Sequence, residues 1–515
     1  MPRSPDWQHD PASLEVLETI EREPWVDLVY RHADGVTLRL ADEWITAAGT
    51  ALEAGGLAEE PLADLASGQR FSVQFWDPNA TKALHIGHLR NLALGNALAA
   101  ALTQAGARVE RRSRISDVGR AMGEAMAGVV ESGRHAQGWL AGDEKTDHFV
   151  GVCYADYVAG GTATEEEDGL EQAEDSLSRE IVVHEDMADE LIKKALAGNR
   201  EAVELWYKTR AWVIAGQRKT LTRLGISFDR VLFESDFVRE TGKLAKDGLR
   251  KGVLRRREDG VVVYDTGLEE LEELPLVRAD GLSTQHLRSL TYALFAPDLE
   301  GISSLQVTGS EWVSHLTSIR RLAAQLRPNL NGDFHPSRSV FHGMVSEGTR
   351  PLTSSAGALL VDDLADWIDG EISGEEERRD LLQRHPNPER VAAQIVLGYF
   401  LPHPTAPDIA FDPTRLLSDT ESLGWDLVRA RGKHSQGTRR LGRAVDDADY
   451  RFAVVQSELY RRYLRLAVER LDVRPLAHYL KHLSMWYLER ERTESVERVV
   501  HTLLDRSAHG LGLEV

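Results

Sequence analysis

Residues 71–90 read FSVQFWDPNATKALHIGHLR, and this stretch decides the fold class. Its first six residues are rich in β-branched and aromatic side chains, which predicts a strand that ends at the turn Asp77-Pro78-Asn79. The Ala/Leu-rich run over residues 84–105 predicts a long helix closed by Gly106. Residues 108–112 then begin a second strand. A strand, a helix and a strand in this order form the first βαβ unit of a nucleotide-binding α/β fold.

The start of the predicted helix carries candidate phosphate-binding groups. Backbone N–H groups and the positive end of the helix dipole point toward an anion bound there. His85 and His88 are three residues apart, so they fall on one helical face and can donate to phosphate oxygens. Gly87 lets a base or ribose approach the backbone, and Lys82 adds a cation one turn earlier. Two surface histidines are the alternative interpretation, but the preceding strand and turn favour a phosphate site.

Sequence patterns divide the chain into three parts. Residues 1–70 predict a small α+β module, with a strand over 36–40 and a helix from residue 43 to residue 53. Residues 71–386 alternate strand and helix signals and form the α/β part, with a helical and acidic insertion around 160–225. Residues 387–515 are almost entirely of helical pattern.

The charge balance excludes some classes of function. The 515 residues include 61 Lys and Arg against 82 Asp and Glu, a net charge of −21. A chain this acidic is neither a general nucleic-acid coat nor a binder of anionic membranes. Residues 165–190 hold 12 acidic residues and one arginine, so the acidity is largely local and is typical of a solvated segment.

Cysteine content and hydropathy indicate the compartment. Cys153 is the only cysteine, which excludes an internal disulfide and a cysteine-rich zinc site, and no metal-binding motif is predicted. The sequence has no apolar N-terminal segment and no apolar run of 18 residues. We therefore expect a cytoplasmic protein with no membrane partner.

A basic helical segment lies in the third part of the chain. Residues 429–465 contain ten Lys and Arg and four acidic residues, with Tyr450, Phe452, Tyr460 and Tyr463 interleaved. Such a face suits an RNA backbone and unstacked bases. A surface helix whose arginines cover core aromatics is an equally good interpretation.

These motifs together resemble the class I aminoacyl-tRNA synthetases, and specifically the arginyl-tRNA synthetase family. Residues 77–90 are similar to that family's first signature segment, which contains its HIGH box, and residues 117–123 are similar to its GDWGTQFG. Residues 224–229 and 425–431 resemble its LGV-FD and YVQYAHAR segments, so the resemblance covers nearly the whole chain.

The resemblance implies a fold and a reaction. The fold would combine a Rossmann catalytic domain, a shortened N-terminal tRNA-contacting module and a helical anticodon-binding-type domain. The reaction would condense an amino acid, arginine or a related one, with ATP and its Mg²⁺, and then transfer the aminoacyl group to tRNA. We expect a monomer.

The resemblance also assigns roles to single residues. Catalytic roles fall on His85, His88, Lys82 and Arg350. The residues implied in ATP binding are Gly87, His85, His88, Gly343, Met344, Val345, Thr353 and Ser355. The residues implied in amino-acid binding are Asn79, Asp117, Glu234, Gln285, Ser289 and Trp312. The residues implied in tRNA binding are Arg429, Arg431, Lys433, Arg461 and Arg462.

The sequence departs from the family pattern in the amino-acid pocket. Gln285, Ser289 and Trp312 stand where the family has Tyr, Asp and Gln. Recognition of a guanidinium needs paired carboxylates, so this loss indicates a paralogue for another amino acid or an arginine derivative. Glu234 is retained and favours a polar or cationic group. The family's second signature loop corresponds to residues 350–357, and it is also weakened, because Leu352 replaces its central lysine.

Three functions are compatible with these features. The first is amino-acid activation with transfer to tRNA, which the resemblance implies most directly. The second keeps activation but transfers to a small molecule, a peptide or a protein, as the shortened N-terminal module suggests. The third is a non-catalytic RNA-binding paralogue, which the weakened loop favours and the intact first signature opposes.

Overall fold

An N-terminal hairpin and helix precede the main sheet. The computed structural model describes residues 21–22, 25–32, 35–55, 65–134, 144–161, 186–295, 302–326, 338–347, 350–351, 359–433, 447–489 and 493–513. Strands β1 (Val26–His32) and β2 (Gly35–Leu40) pair antiparallel, and helix α1 (Asp42–Glu53) follows. The strand and helix predicted in this module are thus confirmed.

The middle of the chain alternates strands and helices. Its elements are β3 (Arg70–Trp76), α2 (Ile86–Gln104), β4 (Arg108–Ile115), α3 (Arg120–Glu131), α4 (Thr146–Gly161), α5 (Met187–Leu196), α6 (Arg200–Arg223), β5 (Arg230–Phe233), α7 (Val238–Arg250), β6 (Arg255–Arg256), β7 (Val262–Leu268), β8 (Leu271–Val277), α8 (Gln285–Phe295), β9 (Ser303–Gly309), α9 (Val313–Leu326), β10 (Arg338–His342), β11 (Val345–Glu347) and β12 (Arg350–Pro351). Short 3₁₀ turns span Glu234–Phe237 and Ser310–Trp312.

A five-stranded parallel sheet organises this part, in the order β10-β9-β3-β4-β5. The chain moves from β3 outward to β4 and β5, and returns to the other side of β3 through β9 and β10. The strand order therefore reverses between β3 and β9. Ligands of open parallel sheets bind in the crevice at the carboxyl ends of such neighbouring strands.

Two smaller sheets flank the main one. Strands β6, β7 and β8 form an antiparallel sheet that shares a separate apolar core with α7, α8 and α9. Strand β11 pairs antiparallel with β12 and parallel with a short strand, β13 (Ile409–Phe411). The predicted α/β architecture is confirmed.

Helices make up most of the C-terminal part. They are α10 (Val361–Gly374), α11 (Glu376–Arg384), α12 (Val391–Phe400), α13 (Leu423–Gly432), α14 (Ala448–Arg470), α15 (Arg474–Leu488) and α16 (Glu494–Gly510), with 3₁₀ turns at Pro388–Arg390 and Pro413–Leu417. None of the helices within the described residues has the length and apolar character that a membrane crossing requires.

One hydrophobic core connects all three parts. It includes Ile45 and Leu52 of α1, most of α2, and the inner faces of the C-terminal helices. The Asn96 amide of α2 donates to the Gly512 carbonyl at 2.8 Å, which fixes the chain terminus to the main sheet layer. The expected boundaries after residues 70 and 386 stay predictions, and the packing is continuous across both.

Of the acidic insertion, the structure describes helices α4, α5 and α6, whereas residues 162–185 lie outside the described residues.

Candidate active site

The turn after β3 is held open by the neighbouring strand. Beyond the end of β4, the Ala80 N–H donates to the Ser116 carbonyl at 2.9 Å, and the Ser116 N–H donates to the Pro78 carbonyl at 3.0 Å. These two bonds extend the parallel pairing past the sheet edge. The Pro-Asn turn therefore continues outward before α2 begins, and it leaves a crevice above β3.

The two histidines occupy the first turn of α2 in a specific arrangement. His85 is the N-cap residue, and its Nδ1 accepts from the Gly87 N–H at 3.2 Å. The Nδ1 of His88 accepts from the His85 N–H at 3.1 Å. Because both Nδ1 atoms are acceptors, both rings carry their proton on Nε2. The pair therefore offers two neutral N–H donors, with ring centres 4.0 Å apart.

Gly87 has a more local role than the sequence indicated. A Cβ at this position would lie 2.9 Å from Cε1 and 3.0 Å from Nδ1 of the His85 ring. Any other residue would displace that imidazole. Gly87 thus preserves the His85 position as well as an open approach.

Burial keeps both imidazoles neutral. It lowers the pKa of His88 to about 4, and the charge of Lys82 acts in the same direction. Burial, with smaller contributions from His88 and Lys82, also holds the pKa of His85 well below its usual range. Burial lowers the pKa of Lys82 itself to about 8. Among the described residues, no carboxylate lies within ion-pair distance of the Lys82 ammonium.

A cavity of about 290 Å³ lies at the carboxyl ends of β3 and β9, where the strand order reverses. It brings together many of the residues expected from the sequence. Those lining it are His85, Gly87, His88, Gln285, Ser289, Trp312, Met344 and Val345. Lys82, Asn79, Asp117, Glu234 and Gly343 do not line it.

Asp117 is committed to the protein scaffold. Its carboxylate accepts from Arg210 at 2.7 Å and from the Ser235 hydroxyl at 2.7 Å. The Trp206 indole donates to its backbone carbonyl at 2.7 Å. These bonds use a fully buried side chain to join α6 to the segment after β4, and the expected contact of Asp117 with an amino acid stays a prediction.

Glu234 likewise faces a cation of the chain itself. Its Oε2 accepts from Arg288 Nε at 2.7 Å and from the Ser116 hydroxyl at 2.8 Å, and the residue is 2% exposed. Arg288 is thus the cation of the chain that Glu234 faces, and the expected contact of Glu234 with an amino acid stays a prediction. Asn79 is fixed through its backbone, which pairs with Ser116.

The segment expected to contact adenine is already bonded at two N–H groups. The Gly343 N–H donates to the Thr405 carbonyl at 2.8 Å, and the Met344 N–H donates to Asp408 at 2.7 Å. This leaves the side chain of Met344 and residue Val345 to line the cavity. The carbonyls of the same two residues also accept hydrogen bonds within the chain, Gly343 from Arg90 at 2.7 Å and Met344 from the Ile409 N–H at 2.8 Å.

Sequence reasoning missed Arg90, which holds this segment in place. Its guanidinium donates to four carbonyls, those of Gly343, Pro404, Thr405 and Pro407, at 2.6 to 3.0 Å. The residue is completely buried, and the signal that could have found it is an arginine inside an otherwise apolar helix.

The second signature loop lies mostly outside the described residues, including Thr353 and Ser355. At its start, the backbone of Arg350 pairs with that of Glu347. At its end, the Ile86 N–H donates to the Leu359 carbonyl at 3.0 Å. The chain after the loop is therefore bonded directly to the first turn of α2.

Most of the cations expected to bind tRNA are bonded within the chain. Arg429 pairs with Asp426 at 2.6 Å, and Arg431 pairs with Asp505 at 2.7 Å. Lys433 donates to the carbonyls that end α15, and Arg461 pairs with Glu458 at 3.1 Å. Arg462 is exposed on α14.

The aromatic residues near these cations were expected either to contact RNA bases or to belong to the core. Tyr450 is 3% exposed and Tyr460 is fully buried, so both belong to the core. Phe452 is 42% exposed and packs on Trp486. The core interpretation holds for the two tyrosines.

The cavity is also lined by residues that sequence reasoning did not assign to the site, among them Asp77, Arg114, Gln306 and Glu311. Arg114 and Gln306 lie on strands beside β3, and alternation along a strand could have placed them on the cavity face.

Comparisons with known proteins agree with this geometry. Residues 57–293 match the family model described as tRNA synthetases class I (R), catalytic domain. An arginine–tRNA ligase of Amoebophilus asiaticus is 31% identical over 368 residues, which are 67% of this chain and 59% of the relative. One of Treponema denticola is 29% identical over 70% of this chain and 58% of its own length. The chain thus spans about three fifths of the length of these relatives.

Solved structures extend the likeness to the whole fold. The Thermus thermophilus arginyl-tRNA synthetase aligns with a TM-score of 0.63 and 19% identity, over 97% of this chain and 92% of that one. The Plasmodium falciparum enzyme aligns with a TM-score of 0.62 and 15% identity, over 98% and 88%. With its α2 histidine pair at the reversal of a parallel sheet, the chain belongs to the class I arginyl-tRNA synthetase family.

Proposed function

We propose that this protein activates an amino acid with ATP and transfers the aminoacyl group to tRNA. The observation that carries the proposal is the group at the start of α2. His85 and His88 present two neutral Nε2–H donors to the cavity side, and Lys82 adds a desolvated ammonium with no described carboxylate partner. An anionic ligand such as a phosphate chain would accept from both histidines in the cavity, and the charge of Lys82, which acts on both rings, would favour it.

In the activation step, a carboxylate oxygen of the amino acid attacks the α-phosphorus of ATP. The bond from that phosphorus to the pyrophosphate oxygen breaks, so an aminoacyl-adenylate and pyrophosphate form. Negative charge grows on the phosphate oxygens in the transition state. Donors already positioned by Gly87 and the N-cap bonds stabilise that charge without reorganising.

Mg²⁺ would enter with the ATP phosphates and neutralise part of their charge. Within the described ranges, no group of three or more metal-ligating side chains is placed to hold an ion without the nucleotide.

The relatives are named for arginine, whereas this chain departs from the family pattern at three positions of the amino-acid pocket. Gln285, Ser289 and Trp312 all line the cavity. Trp312 packs against His315, which stacks on His286 with ring centres 4.8 Å apart. None of these three lining positions carries a carboxylate, which supports selection of a side chain other than arginine.

A second acceptor class is supported by one specific observation. Four of the five cations expected to bind tRNA are engaged in bonds within the chain. An enzyme that transfers to a small molecule or a peptide needs no such surface. We retain this as the alternative to transfer to tRNA.

ATP–pyrophosphate exchange over the twenty amino acids, with and without total tRNA, tests the proposal. Exchange with at least one amino acid is expected, and His88→Ala should reduce it by about 100-fold or more. His482→Ala, on the exposed face of α15, is the matched control and should retain full exchange. No exchange under any condition would refute activation and favour a non-catalytic RNA-binding paralogue. Exchange without aminoacylation of any tRNA would favour the alternative acceptor.

A further inference from the structure

A short antiparallel bridge fixes the backbone of His85. One residue after it, the Ile86 N–H donates to the Leu359 carbonyl at 3.0 Å. One residue before it, the Leu84 carbonyl accepts from the Val361 N–H at 3.0 Å. The extended backbone of this N-cap histidine, with φ −116° and ψ 168°, suits such pairing. The position of its imidazole therefore depends on the chain segment that forms the other side of the bridge.

That segment is anchored by Asp362, the residue that follows the bridge. Its Oδ2 accepts from Lys145 Nζ at 2.6 Å, from the Thr220 hydroxyl at 2.9 Å and from His148 Nε2 at 3.1 Å. Its side chain is 13% exposed. Burial acts to raise the pKa of this carboxyl, but hydrogen bonds from His148 and Lys145 hold it below its usual range. An ionised carboxylate thus connects the bridge to α6 and to the start of α4.

The same face of α6 also holds the chain that leads into His85. Gln217 and Thr220 are three residues apart, so both project from one face of the helix. The Gln217 amide donates to the Lys82 carbonyl at 2.8 Å, and the residue is 1% exposed. Helix α6 therefore contacts the chain before His85 through Gln217 and the chain after the bridge through Thr220.

Lys145 has a second carboxylate partner besides Asp362. Its Nζ also lies 3.0 Å from Asp147 Oδ2, and Asp147 is completely buried. Helix α6 approaches this acid closely at Gly216, where a Cβ would collide with the Asp147 carboxylate. Removing the charge of Asp362 therefore leaves the Lys145 ammonium paired. The effect of such a change on the site can be separated from the cost of an uncompensated buried charge.

From these contacts we propose that Asp362 is a positioning residue for His85. The inference rests on the proposed activation reaction, and it adds helices α4 and α6 of the insertion to the machinery of that site. Asp362 does not line the cavity, so it acts by fixing the bridge. The bridge in turn keeps the Nε2–H of His85 where charge develops on the phosphate. A displacement of about 1 Å in such a group costs up to about 100-fold in rate.

A double-mutant cycle tests this assignment. The assay is ATP–pyrophosphate exchange with labelled pyrophosphate, a mixture of the twenty amino acids and total tRNA. Asp362→Asn keeps the shape of the side chain and removes its charge. It should lower the maximal exchange rate about tenfold and leave KM for ATP within about twofold.

The second arm of the cycle uses a His85→Ala background, which should retain about 1% of the wild-type rate. There Asp362→Asn should lower the rate by no more than about threefold, because the imidazole that Asp362 positions is gone. A residue with only a structural role would lower the rate equally in both backgrounds. Thr220→Val removes one donor to Asp362 and should lower the rate about threefold only when His85 is present, so the test stands if Asp362→Asn does not fold.

Asp369→Asn is the matched control, because Asp369 also joins α10 to α6, through Arg223 at 2.8 Å, but lies seven residues beyond the anchor. It should leave the rate unchanged. A fall of more than threefold for Asp362→Asn in the His85→Ala background, or no fall in the wild-type background, would refute the role of Asp362 and leave activation standing. Absence of exchange by the wild-type protein would refute activation itself and this assignment with it.

Discussion

Replacing Lys82 should change the stability of the protein and the activity of the site in opposite directions. Its pKa falls from 10.5 to about 8 on folding, because the ammonium is desolvated. Below pH 8 the folded protein must keep a charged lysine in a poorly solvated place. This drop in pKa corresponds to about 3 kcal/mol of lost stability at pH 7. Lys82→Met has a similar shape without the charge and should raise the free energy of unfolding by up to that amount.

The pH dependence makes the prediction specific. As pH rises from 8 toward 10.5, the folded state releases the proton before the unfolded state does, so the penalty shrinks. The advantage of Lys82→Met should fall to about 1 kcal/mol at pH 9.5. Urea denaturation at pH 7 and pH 9.5 measures both values. Lys243→Met, at an exposed position of α7, should change neither.

Activity should change in the opposite direction. If Lys82 balances the charge of a phosphate, Lys82→Met should lower the exchange rate by about tenfold or more while the protein becomes more stable. Equal unfolding free energies for Lys82→Met and the wild type at pH 7 would show that the ammonium is well solvated, and the reasoning would be wrong.

Further outcomes test other parts of the structure. Arg90→Lys should lower the free energy of unfolding by about 3 kcal/mol, because a single ammonium cannot serve four carbonyls; unchanged urea denaturation would exclude this clamp. Gly87→Ala should reduce exchange by about tenfold by displacing the imidazole, whereas Gly160→Ala, with no atom within 4 Å of the added Cβ, should leave it intact. Arg462→Ala should reduce the slope of log tRNA affinity against log salt by about 1 in filter binding, with Arg250→Ala as the control; equal slopes would remove α14 from the interface.

The local sequence was sufficient to predict the strand, the turn and the helix that contain the first signature segment. The strand before Asp77, the turn and the helix all depend on residues close together in the chain, and the structure places β3 and α2 within two residues of the expected bounds. The same holds for the N-terminal strand β2 and helix α1. The proximity of His85 and His88 also follows from short spacing.

The ion-pair partners of buried acidic residues could not be predicted from the sequence in the same way. Glu234 meets Arg288, 54 residues further along, and Asp117 meets Arg210, 93 residues away. Sequence reasoning assigned both acids to the amino-acid site, but it could not tell a substrate cation from an arginine of the chain. The N-cap role of His85 was missed for a similar reason, because a spacing of three suggests a shared helical face.

The sequence by itself determined that a βαβ unit presents two histidines, a glycine and a lysine at the start of a helix, since periodicity and turn chemistry are local. Tertiary structure alone decided which charges remain for a ligand. Burying a charged group costs free energy unless it is paired, and the strand or helix that packs against it supplies the partner. Here packing pairs Glu234 with Arg288 and Asp117 with Arg210, whereas the histidine pair lines the cavity.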